Sequence, residues 1–368
     1  MNTKRLSNIE LLRIISMLFI IIFHCVYKSI YDYSSLNINT YIIKIFFFLG
    51  ELGVNLFFLI TGYFYKKNKV KSTKLIKMIL EIYFYYFVTS FIAYELDVLE
   101  INNINELLRY IFPISLTSYW FISAYLLIYI FSPLLNTVID KISKRRFKNY
   151  LVIFLVLYSF IPTIIGFLYN SSELCFYYSR FIWAIIIYFI GAYINKYGFK
   201  FLDTVKKNSI LVITNSLIMI LSIFIFYKTT NLLNKLGTYE IAYFWTPNNI
   251  FMVFLSIGIF NLFLNLKFSN PIINIISSTT LGIYLIHDGP LANYIWNDIF
   301  NSNIMLNSPY FLIYILGYAL IIFTICVIID LIRKKLEIIT IDKLLESNFY
   351  KNIENKSIKL YKKLISYI

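Results

Sequence analysis

Long apolar runs, separated by short polar segments rich in lysine, dominate this chain. A run of about 20 apolar residues is the length that crosses a bilayer as an α-helix. Because ten runs reach or come close to this length before polar residues interrupt them, the pattern predicts ten membrane-spanning helices. They cover residues 8–27, 41–64, 77–95, 118–138, 150–169, 180–195, 209–227, 245–266, 271–290 and 310–332.

Composition supports a membrane protein over a soluble one. Hydrophobic residues make up 59% of the 368 residues and charged residues 14%, whereas soluble chains average about 25% charged residues. The net charge of +15 does not indicate nucleic acid, because the lysines fall in short clusters between the apolar runs. We therefore predict an all-α, polytopic integral protein of the cell membrane, with membrane lipids as neighbours and no nucleic-acid partner.

The basic clusters also predict how the chain is oriented. With the N-terminus in the cytosol, most of the 34 lysines and arginines fall on the cytosolic side of a ten-helix arrangement, as the positive-inside rule requires. Both termini are then cytosolic. The pattern divides the chain into a ten-helix membrane domain, residues 1–333, and a basic amphipathic cytosolic tail, residues 334–368, on the inner membrane surface.

Two polar side chains lie inside the first apolar run. Arg13 and His24 are eleven positions apart, so on a helix they lie within about 20° of each other and about 16 Å apart along the axis. Ionisable groups inside membrane spans are energetically expensive and commonly functional. The spacing predicts that both face one cavity from different depths, with His24 as a general base. The alternative for His24 is a structural hydrogen bond between helices.

Other polar residues of the spans have two interpretations each. His287 is the second of only two histidines and has a similar predicted depth in the ninth span, so it joins the same site or caps that span. Glu10 either orients Arg13 towards an anionic ligand or only offsets its charge. Glu51 is expected to be protonated or paired, and it receives no role. The three cysteines show no spacing typical of a metal site, so no metal is expected.

Four segments resemble motifs of the acyltransferase type-three family, polytopic membrane enzymes that O-acylate glycans. They are Arg13 and His24 in an Arg-x10-His arrangement, residues 53–64 (GVNLFFLITGYF), Tyr119-Trp120-Phe121 with Pro133 and Asn136, and residues 281–287 (LGIYLIH). The resemblance spans roughly residues 5–333. The chain departs from the family pattern at Asn55, where aspartate is frequent, and between Lys66 and Lys77, where lysines replace arginines.

The resemblance implies transfer of an acyl group, most often acetyl, from acyl-CoA to a hydroxyl of a cell-surface or lipid-linked glycan. It implies catalytic roles for His24 and Arg13, with His24 a general base or a transient acyl carrier. We expect four supporting residues: Glu10 beside Arg13, and Asn55, Tyr284 or His287 as donors to the developing oxyanion. The charge of residues near the inner face predicts that Arg13, Lys66, Lys67, Lys69 and Lys71 bind the donor phosphates.

A second function class also fits the hydrophobic pattern. A transporter or flippase for a lipid-linked saccharide needs many spans and internal polar groups as well. The absence of a visible internal repeat favours the acyltransferase. The acceptor glycan, the acyl group and the oligomeric state are not given by the sequence.

Overall fold

The computed structural model describes residues 5–31, 38–67, 70–99, 103–115, 119–169, 179–233, 246–348, 350 and 352. Within these ranges the chain is helical, with short 3-10 and π-helical segments and no strand. The α-helices are α1 (Ser7–Lys28), α2 (Ile38–Tyr63), α3 (Ser72–Glu95), α4 (Ile104–Ile111), α5 (Trp120–Lys141), α6 (Lys144–Leu155), α7 (Ile161–Tyr169), α8 (Arg180–Tyr197), α9 (Val205–Leu233), α10 (Ile250–Asn265), α11 (Pro271–Ser277), α12 (Thr280–His287), α13 (Ala292–Tyr294), α14 (Phe311–Glu337) and α15 (Lys343–Glu346).

Every predicted span falls on one or more of these helices. Seven helices in the described part of the chain are long and apolar enough to cross a membrane, which confirms a polytopic, all-α membrane protein. The count of ten and the cytosolic termini stay predictions. The remaining spans are less clear because α8 carries Arg180 and Lys196, α10 has only 16 residues and the ninth span is divided.

A turn at Ser278 and Thr279 divides the ninth predicted span into α11 and α12. The Ser278 hydroxyl donates to the Ile275 carbonyl (2.6 Å) and the Thr279 hydroxyl to the Ile276 carbonyl (2.7 Å). Such local bonds compete with the backbone ladder of a continuous helix. The second half ends at His287, earlier than the predicted residue 290, so the histidine lies at a helix end.

Close backbone contacts hold α2 between α1 and α8. A Cβ atom added at Gly62 would lie 2.0 Å from the Tyr188 carbonyl oxygen of α8, and one added at Gly53 would lie 2.6 Å from the Ser16 carbonyl oxygen of α1. Small residues allow membrane helices to approach this closely without a hydrophobic driving force. The three helices therefore form a rigid core that fixes the orientation of α1 and its polar side chains.

The predicted tail does not begin where α14 ends. This helix continues past residue 333 to Glu337, and Arg333 in its last turns is buried against carboxylates. A π-helical segment, Ile338–Asp342, and the short helix α15 follow. Residues 353–368, nearly half of the predicted amphipathic tail, lie outside the described residues.

Candidate active site

The two histidines meet between α1 and α12. His24 Nδ1 lies 3.0 Å from His287 Nε2, and the other ring nitrogen of His287, Nδ1, lies 2.6 Å from the Ile283 carbonyl oxygen. Both side chains are buried. Contact between the two rings agrees with the similar depth expected for them, although 263 positions separate them in the sequence.

This chain of hydrogen bonds selects the tautomer of each neutral ring. A carbonyl oxygen only accepts, so His287 Nδ1 carries the proton and His287 Nε2 has the lone pair. His24 Nδ1 must then donate its proton to His287 Nε2. A neutral His24 keeps its own lone pair on Nε2, where a general base or nucleophile needs it.

His24 borders a cavity of about 430 Å³, here called the histidine cavity. Its walls come from α1, α2, α5 and α12, from the first residue of α8 and from the turn before α10. Aromatic side chains form much of this wall: Phe23, Tyr27, Phe47, Trp120, Phe121 and Tyr284. The volume lies within the range of about 300–1,000 Å³ that is typical of small-molecule sites.

A carboxylate and an ammonium group flank His24 in this cavity. Asp288 Oδ1 lies 3.8 Å from His24 Nε2 and 2.8 Å from Lys28 Nζ. The first distance is too long for a hydrogen bond, so the carboxylate acts on the ring through its charge. Lys28 follows His24 by one helical turn. The pair places a negative charge near Nε2, where it stabilises a protonated ring.

Arg180 and Glu51 also line the histidine cavity. The Arg180 guanidinium lies 4.5 Å from the centre of the Trp120 ring, the geometry of a cation–π contact. Glu51 Oε2 has no hydrogen-bond partner among the described residues. Sequence reasoning assigned no role to either residue, because nothing along the chain connects them with His24.

Arg13 borders a second cavity of about 610 Å³, here called the basic cavity. Arg13 Nη1 donates to Glu10 Oε2 at 2.7 Å, and the Ser277 hydroxyl donates to the same oxygen. Glu10 thus holds Arg13 against α11. The basic residues that line this cavity are Arg5, Arg13, Lys74, Lys77, Arg333 and Lys334, beside the carboxylates of Glu81 and Glu337.

Ion pairs fix the α14 side of the basic cavity. Arg333 contacts Glu81 at 3.0 Å, Asp330 at 2.7 Å and Glu337 at 2.5 Å. Lys334 Nζ donates to the Ser278 hydroxyl at 2.8 Å, at the turn between α11 and α12. Sequence reasoning placed these residues at the boundary of the tail and missed them as cavity residues.

Two aromatic rings separate the cavities. Phe121 and Tyr284 line both, and their ring centres lie 5.3 Å apart. Arg13 and His24 were expected to face one cavity, and this expectation is corrected, because the side chains of α5 and α12 meet between them. The two residues border adjoining cavities along one face of α1.

Asn55 was expected to support the reaction, but its side chain joins helices instead. Its Nδ2 donates to the Pro247 carbonyl oxygen at 2.8 Å, and its Oδ1 accepts from Trp183 Nε1 at 3.0 Å. The side chain is fully buried and is not among the residues that line the histidine cavity. Its amide therefore ties α2 to α8 and to the turn before α10.

Two of the four predicted donor-binding lysines, Lys66 and Lys71, can be located in the structure. Lys66 Nζ lies 5.8 Å from the centre of the Tyr65 ring, and the Lys71 backbone amide donates to the Tyr129 hydroxyl at 3.0 Å. Neither lysine lines the basic cavity.

Two later lysines of the segment from Lys66 to Lys77 line the basic cavity. They are Lys74 and Lys77, on the first turns of α3. The side chain of Lys67 and all of Lys69 lie outside the described residues. In the part of the chain that the structure describes, no group of three or more His, Cys, Asp or Glu side chains is arranged to hold a metal ion.

Comparison with protein families gives the general class of the reaction. The family model of an acyltransferase domain matches residues 6–331. The chain belongs to the acyltransferase type-three family. No curated protein and no solved structure matches it. Family membership therefore identifies this multi-pass membrane protein as an acyltransferase, and it argues against the transporter interpretation.

Proposed function

We propose that the protein is an O-acyltransferase of the cell membrane. It moves an acyl group, most often acetyl, from acyl-CoA to a hydroxyl of a cell-surface or lipid-linked glycan. His24 is its general base or transient acyl carrier, and Arg13 contributes to donor binding. The observation that carries the proposal is the lone pair of His24 Nε2, which the hydrogen bonds of His287 and Ile283 direct towards the histidine cavity.

The charge of the basic cavity supports acyl-CoA as the donor. Six basic side chains line it, and coenzyme A carries phosphate groups. Arginine and lysine form strong charge-assisted hydrogen bonds to phosphate oxygens. Arg13 is partly exposed and is held by Glu10 at 2.7 Å, so one side of its guanidinium stays available to a ligand.

The aromatic wall of the histidine cavity supports a sugar as the acceptor. Aromatic faces pack against the apolar faces of a sugar ring, while charged groups at the rim bond its hydroxyls. Trp120 and Tyr284 supply such faces, and Glu51 and Arg180 supply polar atoms. In this arrangement the acceptor hydroxyl lies at His24 Nε2.

Two balanced routes lead from this geometry to the product. In direct transfer, His24 Nε2 takes the hydroxyl proton while the oxygen attacks the thioester carbonyl. The carbon–sulfur bond then breaks, and the imidazolium returns its proton to the leaving thiolate. In the covalent route, Nε2 attacks the thioester carbonyl, the carbon–sulfur bond breaks and the thiolate leaves. The hydroxyl oxygen then attacks the acyl-imidazolium, the carbon–nitrogen bond breaks, and the hydroxyl proton passes to the thiolate. The Asp288 carboxylate, 3.8 Å from Nε2, stabilises positive charge on the ring in both.

Substitution of His24 tests this proposal. His24→Ala is expected to abolish acyl transfer while the protein still inserts, because no other described residue of the histidine cavity offers an unprotonated ring nitrogen. Release of free coenzyme A and incorporation of labelled acyl groups into glycan are measured on membranes with equal protein levels. Full activity of the variant refutes the role of His24. Acyl-CoA turnover without any glycan product refutes the glycan acceptor alone.

A further inference from the structure

A third hollow lies away from both cavities, between α6, α8 and α10. This groove has a volume of about 880 Å³. Side chains of Val152 and Leu155 form one wall, Ile190 belongs to a second, and Phe251 and Phe254 belong to the third. Helix α6 is peripheral. Only 17% of the most apolar stretch of Lys144–Ile165 is buried inside the protein, the lowest value among the seven candidate spans.

One end of the groove is basic. Lys144, Lys148 and Lys200 line it, and all three are exposed. Lys144 Nζ lies 5.2 Å from the centre of the Tyr197 ring. Among the described residues, none of the three lysines forms an ion pair with a carboxylate. The groove therefore combines an apolar length with a concentrated positive charge at a single end.

The length of the groove and its single basic end suit an extended chain with a charged headgroup. From Lys144 to Phe160 the groove follows sixteen residues of the α6 axis, about 24 Å at 1.5 Å per residue. A single extended hydrocarbon chain is thin enough to enter.

We propose that this groove binds a phospholipid with an anionic headgroup. Its phosphate lies at Lys144, Lys148 and Lys200, and one acyl chain lies between α6 and α10. Lysines close to a membrane surface attract anionic lipids, each adding a similar increment to the affinity. The lipid fills the space beside the sparsely buried α6 and so links this helix to α10.

Binding of two phospholipids to the purified full-length chain tests the proposal. Fluorescent phosphatidylglycerol and phosphatidylcholine with identical acyl chains are titrated into the protein in detergent micelles. The double variant Lys144→Gln/Lys148→Gln is expected to bind phosphatidylglycerol roughly thirtyfold more weakly than the unsubstituted chain. The matched control, Arg145→Gln/Arg146→Gln, removes the same charge from the same helical turn, but neither arginine lines the groove, so its affinity should change little.

A third variant addresses the apolar part of the groove. Val152→Trp places a large ring between α6 and α10 without changing any charge, and it should also prevent phosphatidylglycerol binding. Equal weakening in the two double variants overturns the proposal, because the attraction would then be nonspecific. Equal binding of phosphatidylcholine, or binding of a long isoprenyl phosphate without phosphatidylglycerol, overturns it as well.

Discussion

Replacement of His287 separates the two hydrogen bonds of its ring. The side-chain nitrogen of asparagine occupies the place of Nδ1 and still reaches the Ile283 carbonyl, but it leaves His24 Nδ1 without a partner. Glutamine extends to the place of Nε2 and offers its Oε1 to His24, while Ile283 loses its donor. The pair His287→Asn and His287→Gln therefore tests whether His287 acts through His24, whose Nδ1 lies 3.0 Å away.

The expected difference follows from the energy of that contact. Loss of a buried partner leaves a donor without a hydrogen bond, which costs about 1–3 kcal/mol. The tautomer with the lone pair on His24 Nε2 is then no longer favoured. If this energy appears in the transition state, transfer by His287→Asn falls roughly 5- to 150-fold. His287→Gln keeps the acceptor and should stay much closer to the unsubstituted enzyme.

The assay is the initial rate of acyl transfer by protein reconstituted in vesicles, measured across a range of pH. Thermal unfolding of both variants is measured in parallel, because each loses one buried hydrogen bond and a structural role would affect them alike. The pH profile of His287→Asn should differ from that of His287→Gln, since only asparagine frees the His24 tautomer. Equal rates and profiles in the two variants would refute a positioning role for His287.

Three further substitutions test the cavities and the helix packing. Arg13→Ala should raise the KM for acyl-CoA roughly tenfold with little change in kcat, because it removes a phosphate contact; an unchanged KM from steady-state kinetics contradicts that role. Phe121→Ala should increase acyl-CoA hydrolysis without acceptor, measured as thiol release, because it removes one of the two rings between the cavities; no increase counts against the separation. Gly62→Ala should lower the unfolding temperature, since its Cβ would lie 2.0 Å from the Tyr188 carbonyl oxygen, whereas Gly317→Ala meets nothing within 4 Å and should not. Equal unfolding temperatures of the two variants would contradict a contribution of the close α2–α8 contact to stability.

The local features of the site could be predicted from the sequence. Glu10 and Arg13 lie three positions apart on one helix, and they pair at 2.7 Å as that spacing allows. Similar depth in two apolar runs was enough to associate His24 with His287. Such predictions need only helical geometry and the length of a membrane span.

Contacts between distant segments could not be predicted in this way. Arg180 and Glu51 border the histidine cavity because α8 and α2 pack closely, and no periodicity in either helix signals that cavity. Asp288 follows His287 directly, yet its contact with Lys28 depends on how α12 meets α1. Lys28 lies one helical turn after His24, and this spacing alone could have predicted that it borders the same cavity.

Because the site has two adjoining cavities, the proposed reaction involves a movement near α12. If donor phosphates lie at Arg13, the thioester must extend about 16 Å along α1 to reach His24. The direct path runs between Phe121 and Tyr284, whose ring centres are 5.3 Å apart, the spacing of rings in contact. Either one of these rings must rotate or one of the two helices that carry them must shift. Helix α12 is only eight residues long and begins at a turn that Lys334 holds from the basic cavity. Because α12 also carries His287, a shift that admits the thioester would change the partner of His24 in the same movement.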